Sequence, residues 1–89
     1  MKKTNKIIPS TKLKTVYKWI YFIDVSVEYP NRKTKTFYCY NKSEEYLGVV
    51  KWYSAWRQYW FLAGNQIGLV KSCLDDISLF ISQLIEMRR

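Results

Sequence analysis

The run Leu74-Asp75-Asp76-Ile77-Ser78-Leu79-Phe80-Ile81-Ser82-Gln83-Leu84-Ile85 decides the fold, because here the hydrophobic period changes. Upstream, apolar residues alternate. In this run Leu74, Ile77, Phe80, Ile81, Leu84 and Ile85 recur at helical spacing and predict an amphipathic helix. Ser72-Cys73-Leu74-Asp75 matches the [ST]-x-x-[DE] capping pattern, with Ser72 as N-cap. Asp75 and Asp76 then sit toward the positive end of the helix dipole, and Arg88 and Arg89 at the negative end. Burying large side chains at ~1.5–3 kcal/mol each makes this helix integral to the core.

Working backward, Trp56–Leu62 reads as a strand joined by Ser54-Ala55 to another over Leu47–Tyr53, in which Gly48 marks a bulge or a close backbone approach. Lys42-Ser43-Glu44-Glu45 is a polar break. Thr34–Asn41 is a strand with Thr36, Tyr38 and Tyr40 opposite Phe37 and Cys39, and Pro30-Asn31-Arg32-Lys33 is the turn before it. From Tyr17 to Tyr29 the alternation sets Trp19, Tyr21, Ile23, Val25, Val27 and Tyr29 on one face. Asp24, Ser26 and Glu28 share the other with Ile20 and Phe22. Ile67–Val70 is expected to add a short fifth strand. An antiparallel meander of four to five strands packed on one C-terminal amphipathic helix is a two-layer α+β domain. It is expected over residues 13–89, preceded by a basic, flexible arm over residues 1–12.

With 89 residues the chain has room for one domain. Fifteen Lys and Arg against seven Asp and Glu give a net charge of +8. Lys2, Lys3, Lys6, Lys12, Lys14 and Lys18 lie in an acid-free lead, and Arg32, Lys33 and Lys35 form a second cluster. Such segments attract phosphate backbones or acidic surfaces, and they also serve simply as solvated, solubilising sequence. Histidine is absent, which removes His-based acid–base chemistry and His-ligated metals. Glu44 with Glu45 lies in a turn and Asp75 with Asp76 at the helix start. No carboxylate pair, Asp24 with Glu28 included, has an apolar setting, and the glycines are scattered, so no catalytic group, cofactor or metal is expected. Cys39 and Cys73 have apolar or aromatic neighbours and read as buried, reduced thiols. No apolar run approaches the ~20 residues of a membrane span, and a cytoplasmic protein is expected.

The densest stretch is Lys51-Trp52-Tyr53-Ser54-Ala55-Trp56-Arg57-Gln58-Tyr59-Trp60-Phe61. One helix covers only one sheet face. With Val50, Trp52, Trp60 and Leu62 feeding the core, Lys51, Tyr53, Arg57, Tyr59 and Phe61 face outward. Rings interleaved with cations on an open sheet suit single-stranded nucleic acid, where stacking contributes ~1–3 kcal/mol per base. The expected interface is Arg32, Lys33, Lys35, Lys51, Tyr53, Arg57 and Tyr59. The same surface would serve as a protein-binding hot spot, and aromatic rings also fill a small core with few residues.

Leu47-Gly48-Val49-Val50-Lys51-Trp52-Tyr53, Trp56-Arg57-Gln58-Tyr59-Trp60-Phe61 and Cys73-Leu74-Asp75-Asp76-Ile77-Ser78-Leu79-Phe80-Ile81 together resemble small uncharacterised proteins of phages and prophages. The resemblance covers roughly residues 46–85 and carries no established activity. It implies a non-catalytic accessory protein: a binder of DNA or RNA, or an inhibitor of a host defence protein of the anti-CRISPR kind. The expected partner is therefore nucleic acid or a host or phage protein, with no membrane. A homodimer through the exposed edge or aromatic face is compatible with either reading.

Overall fold

The computed structural model describes residues 13–88, so the expected arm over 1–12 lies outside the described residues. Four strands follow in order: β1 (Ile20–Asp24), β2 (Phe37–Asn41), β3 (Tyr46–Tyr53) and β4 (Gln58–Ala63). One helix, α1 (Lys71–Arg88), completes the chain. The strands form a single antiparallel sheet in the order β1-β2-β3-β4. The two-layer α+β expectation holds. The fifth strand does not form: residues 64–70 run irregularly from the sheet to the helix.

The core lies between α1 and one sheet face. Ile20 and Phe22 from β1, Phe37 and Cys39 from β2, and Val50 from β3 meet Ile77, Phe80 and Leu84 of the helix. Phe80 stacks on Phe22 at 3.9 Å between ring centroids and meets Phe37 edge-on at 4.9 Å. Leu74 and Ile85 were expected in this face but are exposed, so the buried helical stripe is narrower than the periodicity implies. The helix also starts earlier than its capping pattern suggests. Leu74 N–H donates to the Val70 carbonyl, which places Ser72 inside the first turn. Asp75 then belongs to the second turn, where it pairs with Lys71 Nζ at 2.8 Å across one helical turn.

The first strand is shorter than its alternation predicts, and of its two faces the one bearing Ile20 and Phe22 is the core face. Ile20 and Phe22 point to the helix; Trp19 and Ile23 are exposed. The alternation ends because Asp24 Oδ1 accepts the Ser26 N–H at 2.8 Å, bending the chain into a 3-10 turn over Ser26–Glu28. Val27, which the alternation places on one face with Trp19 and Ile23, is 87% exposed as a result. Ser26 Oγ in turn accepts the Thr36 N–H at 3.0 Å, while Val25 N–H donates to the Thr36 carbonyl. Burial opposes ionisation of Asp24, but the Ser26 hydrogen bonds and the Lys35 ammonium outweigh it and hold the carboxyl below its usual range.

Gly48 does both things expected of it. Cys39 pairs with Gly48, yet the next residue, Tyr40, pairs with Tyr46, so Leu47 is the extra residue of a bulge and turns into the core. The Phe61 ring and the Leu62 carbonyl occupy the space where a β-carbon of residue 48 would sit.

Before β1, residues 15–17 fold back along its outer edge. Phe22 N–H donates to the Thr15 carbonyl at 2.8 Å, and Val16 bridges Tyr21. The Gln83 side chain fastens this segment to the helix: its Oε1 accepts the Lys14 N–H, and its Nε2 donates to the Lys14 carbonyl, both at 2.9 Å.

Both cysteines are free thiols; Cys39 is buried and Cys73 half-buried. Burial, with a smaller contribution from Cys73, pushes the Cys39 thiol up to about 12. Because the thiolate is the nucleophile, a thiol reagent at mildly alkaline pH is expected to label Cys73 and spare Cys39 until denaturant is added. Equal labelling of both in the folded protein, read by mass spectrometry, would contradict this packing.

Candidate functional site

Only one sheet face is covered by α1. The other displays Tyr21 and Ile23 from β1, Tyr38 and Tyr40 from β2, Tyr46, Val49, Lys51 and Tyr53 from β3, and Trp60 and Leu62 from β4, as the pairing register requires. Two groups of rings form on it. Tyr21 stacks on Tyr40 at 5.7 Å, and Tyr46 meets Tyr38 and Tyr40 edge-on. On the β3–β4 side Tyr53 stacks on Trp60 at 3.8 Å, and Trp56 from the turn packs edge-on against both. Trp56 remains 66% exposed. Val49, Leu62 and Lys51 lie between the groups, and Lys51 is the sole charged residue among these strand positions.

Two buried side-chain polar atoms among the described residues have no hydrogen-bond partner, Thr36 Oγ1 and Trp60 Nε1. Both residues belong to this face: Trp60 pairs with Lys51, and Thr36 continues the alternation of Tyr38 and Tyr40. Each hydrogen bond left unmade inside the packing of this face costs about 1–3 kcal/mol.

A second feature is the basic end of the domain, where the 31–35 segment, the β3–β4 turn and the helix C-terminus converge. Arg32, Lys33, Trp52 and Arg88 line an open cleft of about 500 Å3. Lys33, Lys35 and Arg88 flank a neighbouring groove, and Arg57 and Arg88 a third. The arrangement is built locally. Trp52 lies two residues beyond the last β2–β3 pair, Phe37–Val50, and Arg32 Nη2 donates to its carbonyl at 2.8 Å in place of a strand. The Arg88 guanidinium lies over the Trp52 ring, 4.1 Å from its centroid. Arg57 takes a left-handed backbone, φ 57°, to close the turn onto the Tyr53 carbonyl. Lys35 makes a long 3.5 Å pair with Asp24.

The seven residues singled out from sequence therefore fall into three places. Lys51 and Tyr53 are on the open face. Arg32, Lys33, Lys35 and Arg57 gather at the basic end. Tyr59 does not face outward: it is buried beneath the helix, edge-on to Trp52, and burial raises its hydroxyl pKa while Arg88 pulls the other way. Phe61 likewise lies on the core side, whereas Trp60 and Leu62, expected in the core, lie outside. Pairing Tyr53 with Gln58 leaves a four-residue turn, and an even number of turn residues exchanges odd and even positions between the two strands. Carrying one parity across the turn misassigns every β4 side chain. Sequence reasoning also missed Tyr21, Tyr38, Tyr40 and Tyr46 as a surface group, although the alternation around Phe37 and Cys39 contained the signal.

The chain is 36% identical over 66 residues to an "Uncharacterized 9.3 kDa protein" of Acholeplasma phage L2, spanning 73% of this chain and 85% of the relative. The chain belongs to the family of that phage protein. The likeness to small phage-encoded proteins read from residues 46–85 is upheld at that level. No protein-family model matches the chain, and no solved structure does. Among the described residues, no helix is long and apolar enough to cross a membrane, and no three potential ligand side chains come together for a metal ion.

Proposed function

We propose that the protein is a non-catalytic, cytoplasmic phage accessory protein that binds single-stranded nucleic acid. The carrying observation is the uncovered sheet face, on which two groups of aromatic rings flank Lys51 and whose strand positions hold no acid. Bases stack on the rings, Trp56 and Tyr46 being the most exposed of them, while phosphates are drawn to the basic end. Glu28, Glu44 and Glu45 lie in the connecting segments, where Glu44 acts on Tyr21 and Glu28 on Tyr38, so the positive charge offered to phosphates is that of Lys51 and the cluster at 32–35.

The test is fluorescence anisotropy with short single-stranded DNA and RNA oligonucleotides at low salt. Binding is expected to weaken linearly in log affinity against log salt, with a slope of about −0.7 per phosphate contacted. Trp56→Ala, at an exposed ring, is expected to weaken binding by about 5- to 100-fold while leaving the melting temperature nearly unchanged. No binding to either strand type at low salt sinks the reading. Salt-resistant capture of a stoichiometric protein from nuclease-treated host lysate, with no oligonucleotide binding, would point instead to an inhibitor docking through the same rings.

A further inference from the structure

The Ser26–Glu28 turn carries Tyr29 across one end of the open face, and a small pocket forms between this crossing and the sheet. It measures about 130 Å3, several times the ~30 Å3 share of one water in the liquid. Its wall holds six hydrogen-bonding side chains: Tyr29, Arg32, Thr36, Tyr38, Tyr46 and Lys51. Thr36 is 2% exposed and its Oγ1 is closed off, so it lines the pocket without offering it a donor. The Tyr29 and Tyr38 hydroxyls are 2.7 Å apart and share one hydrogen bond, which leaves one of their two protons free to donate outward. Arg32 is held by the Trp52 carbonyl through one nitrogen only, which leaves further guanidinium N–H groups. Lys51 makes no ion pair among the described residues.

We infer that this pocket binds a phosphate group, held by Arg32 and Lys51 and by a hydroxyl donor from the Tyr29–Tyr38 pair. Two cations and a free phenol donor around one small pocket are complementary to a tetrahedral oxyanion, which takes several donors at once. Tyr38 stays protonated as a donor at ordinary pH, since its hydrogen bond with Tyr29, burial and neighbouring charge raise it to about 12. Glu28 contributes to that neighbouring charge but does not line the pocket, so the lining remains free of carboxylates. Rings of the open face adjoin it through Tyr38 and Tyr46, which places one backbone phosphate beside the stacking surface. The assignment to a strand's phosphate rests on the function proposed above; the pocket's chemistry does not.

Two arms keep these separate. Inorganic phosphate is titrated at constant ionic strength against the full chain, followed by backbone amide NMR. Saturable shifts confined to Thr36, Tyr38, Lys51 and their neighbours are expected, and Lys51→Gln should weaken them at least about tenfold. Lys51→Arg, which keeps the charge, should restore binding; that rescue separates charge from packing should Lys51→Gln disturb the fold. Amides that stay still, or shifts spread over all lysines without saturation, overturn the pocket. The second arm repeats the oligonucleotide titration with the same variants. Phosphate binding without oligonucleotide binding keeps the pocket, as a site for a free phosphate-bearing molecule, and removes the nucleic-acid reading. Oligonucleotide binding by a chain whose amides ignore phosphate removes the pocket alone.

Discussion

Phe80→Ala is expected to remove about 3–5 kcal/mol of folding free energy, a large part of the ~5–15 kcal/mol that a domain possesses. Phe80 is fully buried, and its ring joins three elements by stacking on Phe22 and abutting Phe37 edge-on. Truncation leaves a cavity bordered by two rigid rings that cannot collapse into it, so the loss belongs at the high end for an aromatic deletion. The urea midpoint should fall steeply with the slope unchanged, the signature of lost stability rather than a changed unfolded state. Phe80→Leu, which refills most of the volume, should cost much less. A loss below about 1 kcal/mol for the alanine variant would mean that α1 is not the cover of this sheet.

Gly48→Ala is expected to destabilise by about 2–3 kcal/mol or more, the reverse of the usual gain of ~0.5–1 kcal/mol for replacing glycine inside a strand. The added β-carbon would stand 2.5 Å from Phe61 Cζ and 2.6 Å from the Leu62 carbonyl oxygen. The ring can move; the carbonyl belongs to a strand paired along its length with β3. Adding Phe61→Leu should therefore recover only part of the loss. Thermal unfolding by circular dichroism reads both variants, at roughly 4–8 °C per kcal/mol for a domain of this size. An unchanged melting temperature for Gly48→Ala would place β4 farther from β3 than the pairing register requires.

The architecture was legible wherever a periodicity ran uninterrupted. The switch from period two to helical spacing at Leu74–Ile85 and the glycine at position 48 gave the two layers and the irregularity between β2 and β3. What was not legible turned on single side chains that redirect backbone. Asp24 captures the Ser26 N–H and ends a strand that its flanking sequence would have continued. The even-numbered turn after Tyr53 interchanged Tyr59 and Trp60, burying a residue expected to bind and exposing one expected to pack. Arg32, Lys33 and Lys35 were legible as one cluster, whereas Arg57, expected on the open sheet face, lies in the turn before β4 and joins them at the basic end. Their meeting point depends on Arg88, which the sequence offered only as a helix-dipole partner. Thr36 carried no signal at all: its unmet hydroxyl exists only because a distant turn folds over it.

The fold-back of residues 15–17 along β1 has a bearing on assembly. It covers one margin of the sheet from Ile20 to Phe22, whereas among the described residues no strand pairs with the outer side of β4. The less protected border is therefore that of β4. Joining two such borders antiparallel uses up both and leaves the partly covered β1 margins outermost, which favours a closed pair over growth into fibrils.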